Sequence, residues 1–277
     1  MHIIPLRKKA GLLCLHTAFE AVFLWKNMNN KILFISATHG NEEYSIKVLD
    51  SLEKKYPKSK YGYERLIGNP KALKKNIRYI DQDLNRSAPG DIKSKIFEEK
   101  RAAEIMKISE KFKYVIDLHG SNSKCGVTII IPYPSIENIL LSGLFDIKNV
   151  VIWYTKKSDK NVPLTQSCKP PGLEIECGPK NDPKISAVLK GILEKFLKEG
   201  KSMNIEKLIK RLKSKELYVV NGIYKSKNKI ARDFKKVKTA REEFYSFMSA
   251  NQYPGKINCY KMRKIKFEDL FLLKAGK

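Results

Sequence analysis

The fold is decided by residues 31–42, which read Lys31-Ile32-Leu33-Phe34-Ile35-Ser36-Ala37-Thr38-His39-Gly40-Asn41-Glu42. The first half of this stretch is a continuous apolar run of strand length, which is typical of a buried strand. The run ends in a turn sequence, His39-Gly40-Asn41, that also suits the start of a helix. The stretch therefore predicts a strand that passes directly into a helix.

Apolar residues follow Glu42 at the spacing of one helix face, at Ile46, Leu49 and Leu52. His39 and Glu42 thus lie three residues apart, where the predicted strand ends and the helix begins. In an open α/β sheet this is the carboxyl edge, where ligands bind. Because imidazole nitrogen and carboxylate oxygen both bind zinc, the pair is a candidate for two of the three protein ligands of a catalytic zinc site.

The third ligand should come from another strand end, and His119 is the candidate. It follows the apolar strand Tyr114-Val115-Ile116 within Asp117-Leu118-His119-Gly120, and the chain has only four histidines. A single histidine at a strand end often only caps a backbone group. Two such sites of matching ligand chemistry favour a metal.

Composition bounds the possible classes of protein. With 277 residues and 42% hydrophobic residues the chain can bury a full core and is typical of a globular protein. Its five cysteines are scattered without a CxxC pair, which argues against a disulfide framework and a thiolate zinc site. We expect a reducing, cytoplasmic location.

The formal net charge of +26 has two interpretations. The charge could attract nucleic acid, a membrane surface or an acidic substrate, or it could reflect a lysine-rich proteome. Lysine is spread over every segment, its densest region is 207–241, and no nucleic-acid-binding motif is present. We therefore predict no specific nucleic-acid partner and no membrane partner, and the oligomeric state stays open.

Residues 1–29 differ from the rest of the chain. A basic cluster precedes an apolar stretch, Ala10 to Trp25, which superficially resembles a signal peptide. His16 and Glu20 interrupt it, and it is short for a membrane span. We expect an N-terminal extension, either disordered or lying ahead of the true start, for which Met28 is a candidate.

Strand-like and helix-like segments alternate over residues 30–200, which we predict to form the catalytic domain. The expected strands are near 31–36, 61–68, 114–119, 126–131, 150–154 and 173–177, and the expected helices near 42–56, 71–76, 91–112, 136–145 and 184–197. This order predicts an α/β fold with a mixed, mostly parallel central sheet and helices on both faces. Residues 201–277 read as a linker helix, 205–212, and a small β-rich C-terminal domain with strands near 216–224, 229–233 and 256–262.

The candidate site residues form a chemically coherent set. Besides the three ligands there is a strand carrying Glu174 and Glu176 on one side, and a polar loop, residues 78–86, with two arginines and an asparagine. Metal-assisted hydrolysis needs a metal, a carboxylate that moves a proton, and guanidinium groups for the oxyanion and for a substrate carboxylate.

Several motifs in order make the sequence resemble the aspartoacylase/succinylglutamate desuccinylase family of the zinc carboxypeptidase superfamily. The motifs are Thr38-His39-Gly40-Asn41-Glu42, Asn69-Pro70-Lys71-Ala72, Arg78-Tyr79-Ile80-Asp81, Asp83-Leu84-Asn85-Arg86, Asp117-Leu118-His119 and Glu176-Cys177-Gly178-Pro179. The resemblance implies an enzyme that binds one zinc per chain and hydrolyses a small, anionic N-acyl amino acid.

The resemblance also implies roles for single residues. The zinc ligands would be His39, Glu42 and His119, with Glu176 as general acid/base and Arg78 holding the oxyanion. Asn85 and Arg86 would bind the substrate carboxylate. Asp83 would orient His39, and Asp117 is either a rival for that role or a cap on its strand.

The sequence departs from the family near the substrate side chain. Where aspartoacylases carry a further arginine, this chain has Leu164-Thr165-Gln166-Ser167, so Gln166 is the nearest candidate for substrate binding. Aspartate specificity is therefore weakly supported. Two alternative functions stay open. One is a carboxypeptidase-like hydrolase of a peptide or other small amide, and the other is a basic nucleic-acid-binding protein whose fold has lost its former enzymatic activity.

Overall fold

The computed structural model describes residues 32–154, 162–225, 232–249 and 259–273. The expectations for residues 1–29 and for part of the strand near 229–233 lie outside these ranges. Within the described part of the chain, no helix combines the length and the apolar character needed to cross a membrane.

Ten strands of the described residues form one sheet, in the order β2-β1-β3-β6-β4-β5-β7-β10-β9-β8. Their bounds are β1 Ile32–Ser36, β2 Tyr63–Ile67, β3 Tyr114–Gly120, β4 Gly126–Ile131, β5 Asn149–Ile152, β6 Gly172–Gly178, β7 Glu216–Tyr224, β8 Lys236–Lys238, β9 Glu243–Phe247 and β10 Cys259–Ile265. From β2 to β7 neighbouring strands are parallel except for the β4–β6 pair. Beyond β7 the pairs are antiparallel. The predicted mixed, mostly parallel sheet is confirmed.

Helices pack on both faces of this sheet, as predicted. They are α1 Tyr44–Lys55, α2 Lys58–Tyr61, α3 Pro70–Lys75, α4 Phe97–Ser109, α5 Ile136–Leu144, α6 Leu164–Ser167, α7 Pro183–Glu199 and α8 Ile205–Lys213. One face carries the largest apolar cluster, formed with α1, α5, α7 and α8. The other face divides into a cluster under α4 and a second cluster that β7, β9 and β10 share with β4 and β5.

Alternation along β3 and β6 separates the apolar core from polar residues. Ile116 and Leu118 of β3 and Ile175 of β6 belong to the largest apolar cluster. The alternate residues of these strands, among them His119 and Glu176, point to the opposite face because side chains alternate along a strand. The polar face of these strands therefore lies between the two smaller apolar clusters.

The C-terminal strands extend the same sheet. β7 pairs in parallel with β5, and the register joins Val151 to Tyr218. The strands expected near 216–224 and 256–262 are present, whereas β8 and β9 had no clear signal in the sequence. The division of the chain at about residue 200 stays a prediction, since a continuous sheet neither requires nor excludes a separate domain.

Helix α4 is shorter than expected. The sequence pattern predicted a helix over 91–112, but the helix begins at Phe97. Ahead of it the Asp91 side chain accepts a hydrogen bond from Lys93 N at 2.8 Å, and Ser94 Oγ accepts one from Ile96 N at 3.0 Å. Such local side-chain turns compete with helix formation.

Candidate active site

The turn after β1 brings His39 and Glu42 together. Ala37 has a left-handed φ of 52°, which is uncommon outside glycine and turns the chain sharply at the strand end. Gly40 lies against α3, where a Cβ atom would be 2.1 Å from the carbonyl carbon of Ala72. Only glycine permits this approach. The turn is thus locked between β1 and α3, which fixes the direction of the two candidate ligands.

Three side chains form a group that could hold a metal ion. One ligand atom from each of His39, Glu42 and His119 lies within 4.8 Å of the others, and all three residues are buried. His39 Nδ1 is 2.9 Å from Glu42 Oε1, and His119 Nδ1 is 3.6 Å from Glu42 Oε2. The two imidazoles and the carboxylate therefore converge on one point, as three zinc ligands would.

Each histidine is oriented by an aspartate on its other ring nitrogen. His39 Nε2 lies 3.0 Å from Asp83 Oδ1, and His119 Nε2 lies 2.9 Å from Asp117 Oδ2. Asp117 therefore contacts His119 rather than His39, and it also accepts a hydrogen bond from Thr38 Oγ1 at 2.8 Å. Carboxylate–imidazole pairs of this kind leave the opposite nitrogen facing a metal.

Asp83 connects the histidine to the arginine of the predicted loop. Its other oxygen accepts a hydrogen bond from Arg78 Nη2 at 2.9 Å, and Oδ1 also accepts one from Asn85 N at 2.9 Å. Burial raises the pKa of Asp83, but the contacts with His39 and Arg78 outweigh burial and leave that pKa well below its usual range. Asp83 is therefore ionised at neutral pH, as an orienting partner must be.

Glu176 stands on β6 beside His119 of β3, at the same register position. It is buried, and its Oε1 atom has no hydrogen-bond partner among the described residues. Burial is the main reason that the pKa of Glu176 is raised to about 8. A buried carboxyl oxygen without a partner is costly in a folded protein. Such an oxygen is available to exchange a proton with a ligand that binds beside it.

One pocket collects seven of the ten predicted site residues together with several residues that were not predicted. It has an empty volume of about 580 Å³, part of it open to solvent, which is in the range of small-molecule sites. Its lining residues are His39, Glu42, Arg78, Asn85, Arg86, His119, Gly120, Ile130, Trp153, Pro163, Glu174, Glu176 and Met248. Gln166 lies in α6 and is not part of this lining; its predicted contact with substrate stays a prediction.

The loop of residues 78–86 is held by a buried carboxylate that no sequence pattern marks. Glu98 on α4 is fully buried and accepts four hydrogen bonds. The donors are Asn69 Nδ2 at 2.9 Å, Ile80 N at 2.7 Å, Asp81 N at 3.1 Å and Gln82 N at 3.4 Å. This anchor fixes the backbone between Arg78 and Asp83. In sequence Glu98 is only one of several acidic residues at a helix start, so no signal marked it.

The opposite side of the pocket is apolar. Trp153 follows β5 and contacts Tyr260 of β10, with ring centroids 4.2 Å apart. Met248 follows β9 and joins the same apolar cluster. Met248 lies far in sequence from the predicted motifs, so only the packing of the C-terminal strands brings it to the pocket. Trp153 and Met248 thus form an apolar side of this pocket.

Comparison with known proteins decides the family. Residues 29–194, more than half of the chain, match the model of the succinylglutamate desuccinylase/aspartoacylase catalytic domain. The chain belongs to this family. All ten predicted site residues lie within the matched range, whereas Met248 lies beyond it.

Similar sequences come from strains of Prochlorococcus marinus. The chain is 33% identical over 172 residues to a probable aspartoacylase of strain MIT 9515, covering 57% of this chain and 58% of that protein. It is 31% identical over 156 residues to a probable aspartoacylase of Prochlorococcus marinus subsp. pastoris strain MED4, covering 53% of each. The chain thus spans about half the length of these curated relatives.

Solved structures agree on the fold. Murine aminoacylase 3 superposes with a TM-score of 0.65 at 15% identity, covering 85% of this chain and 95% of that chain. The succinylglutamate desuccinylase of Chromobacterium violaceum gives a TM-score of 0.62 at 17% identity and covers 86% of each chain. Because each covers about 85% of this chain, these likenesses extend beyond the matched domain.

Proposed function

We propose that this protein is a zinc-dependent hydrolase that cleaves the amide bond of a small N-acyl amino acid. Family membership supports an amide-cleaving deacylase. The observation that carries the proposal is the unpartnered, buried Oε1 of Glu176 in the same pocket as His39, Glu42 and His119. A metal triad with an adjacent free carboxyl is what hydrolysis by an activated water requires.

The donor set fits zinc. Two imidazoles and one carboxylate are a common catalytic zinc set, and three protein ligands leave a coordination position open. In this proposal His39, Glu42 and His119 hold one ion per chain. Zinc bound there supplies Lewis-acid polarisation of the scissile carbonyl and a bound water of lowered pKa.

The remaining residues act on the substrate. Glu176 takes the proton of the attacking water and returns it to the leaving nitrogen, and burial, which raises the pKa of Glu176, favours the protonated state that the return step needs. Arg78 donates to the oxyanion of the tetrahedral intermediate, while Asp83 keeps both Arg78 and His39 in place.

Binding of the substrate carboxylate is assigned to Arg86 and Asn85. A guanidinium matches a carboxylate in two parallel hydrogen bonds. Asn85 Oδ1 already accepts a hydrogen bond from Leu164 N at 2.7 Å, and Nδ2 donates one to Glu174 at 3.1 Å. An amide Nδ2 carries two hydrogens, so one remains for the substrate. We keep Gln166 as a further candidate contact for the substrate side chain.

An assay of the zinc-loaded protein separates this proposal from its rivals. We expect release of the free amino acid from N-acetylated amino acids, abolished when zinc is removed by a chelator and restored when zinc is added back. Faster cleavage of short peptides would favour the carboxypeptidase-like alternative. A folded, zinc-loaded protein that hydrolyses neither class, and binds nucleic acid in a salt-dependent manner, would favour the non-enzymatic alternative.

A further inference from the structure

A third carboxylate of the pocket lining, Glu174, has no role in the chemistry described so far. It lies two residues before Glu176 on β6, so both side chains point to the same face of the sheet. Its register partners are Asp117 on β3 and Ile130 on β4. Glu174 therefore stands deep in the pocket, between the acidic side chains around the metal triad and the apolar wall.

The contacts of Glu174 leave its charge unmatched. Its Oε1 accepts a hydrogen bond from Asn85 Nδ2 at 3.1 Å. The nearest basic group is His119 Nε2 at 4.0 Å, and that nitrogen is already 2.9 Å from Asp117. Within the described residues, no lysine or arginine nitrogen lies within 4.0 Å of a Glu174 oxygen. One hydrogen bond from a neutral amide offsets only a small part of the free energy that burial of a charged carboxylate costs.

A buried carboxylate without a cation is unfavourable, and a ligand that supplies the cation removes that cost. The same carboxylate repels a second negative charge on the substrate. Trp153 also lines the pocket, and its ring face favours a cation over an anion. The two arginines of the lining, Arg78 and Arg86, are assigned to the oxyanion and the substrate carboxylate. The pocket is thus polarised, with cations for one end of the substrate and a carboxylate for the other.

We propose that Glu174 is a specificity-determining residue that binds a protonated amino group of the substrate, so that the preferred substrates are N-acylated diamino acids with one free amine. The inference rests on the proposed hydrolase function and names the substrate class of the same site. In such a compound the free carboxylate pairs with Arg86 while the free ammonium pairs with Glu174.

A purely structural role for Glu174 leads to a different expectation. If Glu174 only orients Asn85, its replacement by glutamine weakens all substrates alike, because Asn85 contacts the carboxylate that they share. If Glu174 binds an ammonium group, the replacement selectively weakens substrates that carry one. The ratio between substrates, rather than the activity on any one of them, therefore distinguishes the two roles.

The first experiment compares kcat/KM for Nα-acetyl-L-ornithine, N-acetyl-L-glutamine and N-acetyl-L-glutamate with the zinc-loaded wild-type protein. We expect at least a tenfold preference for the ornithine derivative over the glutamate derivative, with the glutamine derivative between them. In Glu174→Gln the preference should fall to within about threefold. The matched control Glu104→Gln, which removes one carboxylate outside the pocket lining, should keep the wild-type ratios. A wild-type preference for the glutamate derivative, or unchanged ratios in Glu174→Gln, would overturn the inference.

The second experiment measures binding and does not depend on turnover. Calorimetry gives the Kd of the same three compounds for Glu176→Gln, a variant impaired in proton transfer. The same Kd values are then measured for the double variant that carries both Glu176→Gln and Glu174→Gln. We expect Nα-acetyl-L-ornithine to bind at least tenfold more weakly to the double variant. If the wild-type protein hydrolyses none of the compounds but this selective loss appears, the proposed function fails while the assignment of Glu174 stands. Equal affinities for the three compounds in the single variant would refute the assignment.

Discussion

One wall of the pocket is held by hydrogen bonds to carboxylates, and the opposite wall is packed from apolar side chains. On the first wall, Asp83, Asp117 and Glu98 each fix other groups of the site through two or more contacts. On the second wall, Trp153 and Met248 belong to an apolar cluster shared with the C-terminal strands. The first wall lies within the family's matched domain and the second is completed outside it.

The difference indicates how chemistry and selectivity are distributed. Charged networks tolerate little change, because loss of one partner leaves another buried group unsatisfied. Apolar packing tolerates substitutions of similar volume. We expect substitutions on the polar wall to abolish catalysis, and substitutions on the apolar wall to change substrate binding.

The largest effect is expected on the polar wall, at Glu176. Glu176→Gln removes the group that moves the proton, and kcat should fall by about 10² to 10⁴, while zinc content and circular dichroism stay those of the wild type. Glu104→Gln serves as the control of equal charge change. A kcat within tenfold of the wild type would mean that another group moves the proton.

A smaller effect is expected from Arg86→Lys. Lysine keeps the charge but cannot form two parallel hydrogen bonds, so kcat/KM for N-acetylated amino acids should fall about tenfold or more, since one charge-assisted contact is worth roughly 1.5–3 kcal/mol. The exposed Arg241 offers the matched control, Arg241→Lys. Unchanged kcat/KM in Arg86→Lys would remove Arg86 from substrate binding.

On the apolar wall, Met248→Ala should act on binding alone. Loss of an apolar contact of about 1 kcal/mol should raise KM about fivefold and leave kcat within about twofold. Met262, which is buried in the same cluster but does not line the pocket, provides the control for lost packing. If Met262→Ala raises KM as much as Met248→Ala, the effect comes from the cluster and not from contact with substrate.

The last effect concerns the free energy of unfolding and not catalysis, at the junction between the two regions, where Lys215 precedes β7. Its Nζ donates hydrogen bonds to the carbonyl oxygens of Phe145 at 2.9 Å and Ile147 at 2.7 Å, and burial lowers the pKa of Lys215 to about 7. From about pH 7 upward the unfolded chain binds this proton more tightly than the folded protein does. The contribution of Lys215 to the free energy of unfolding therefore rises with pH, and below about pH 7 it is constant and least favourable.

Urea unfolding between pH 6 and pH 9 measures this contribution. In the wild type, Lys215 should make the free energy of unfolding rise above pH 7 by at most about 1.4 kcal/mol per pH unit. This rise should be absent in Lys215→Met. Lys210→Met, an exposed position on α8, should keep the wild-type slope. Parallel curves for the wild type and Lys215→Met would show that Lys215 keeps its ordinary pKa in the folded protein.

The sequence contained enough local signal for the polar wall but not for the apolar one. His39, Glu42, His119 and Glu176 each follow or lie in an apolar strand, so the carboxyl edge of a parallel sheet predicts that they meet. Glu174 had the same signal, two residues from Glu176, and only its function was missed.

The rest depends on contacts that are distant in sequence. Strands β8 and β9 are short and partly polar, and they exist because β9 pairs with β10 and β8 pairs with β9, which sequence periodicity does not report. Met248 reaches the pocket through that pairing. Glu98 reaches the loop of residues 78–86 through the packing of α4, so its four hydrogen bonds could not be read from the chain alone.

The central claim is that His39, Glu42 and His119 hold one zinc per chain, and metal analysis tests it most directly. The wild type, His39→Ala and the control His16→Ala are exposed to zinc, freed of excess metal by gel filtration and analysed by mass spectrometry, with circular dichroism to verify folding. We predict one zinc per chain in the wild type and in His16→Ala, and a large loss in folded His39→Ala, because removal of one of three ligands weakens binding strongly. Stoichiometric zinc in folded His39→Ala would contradict the account.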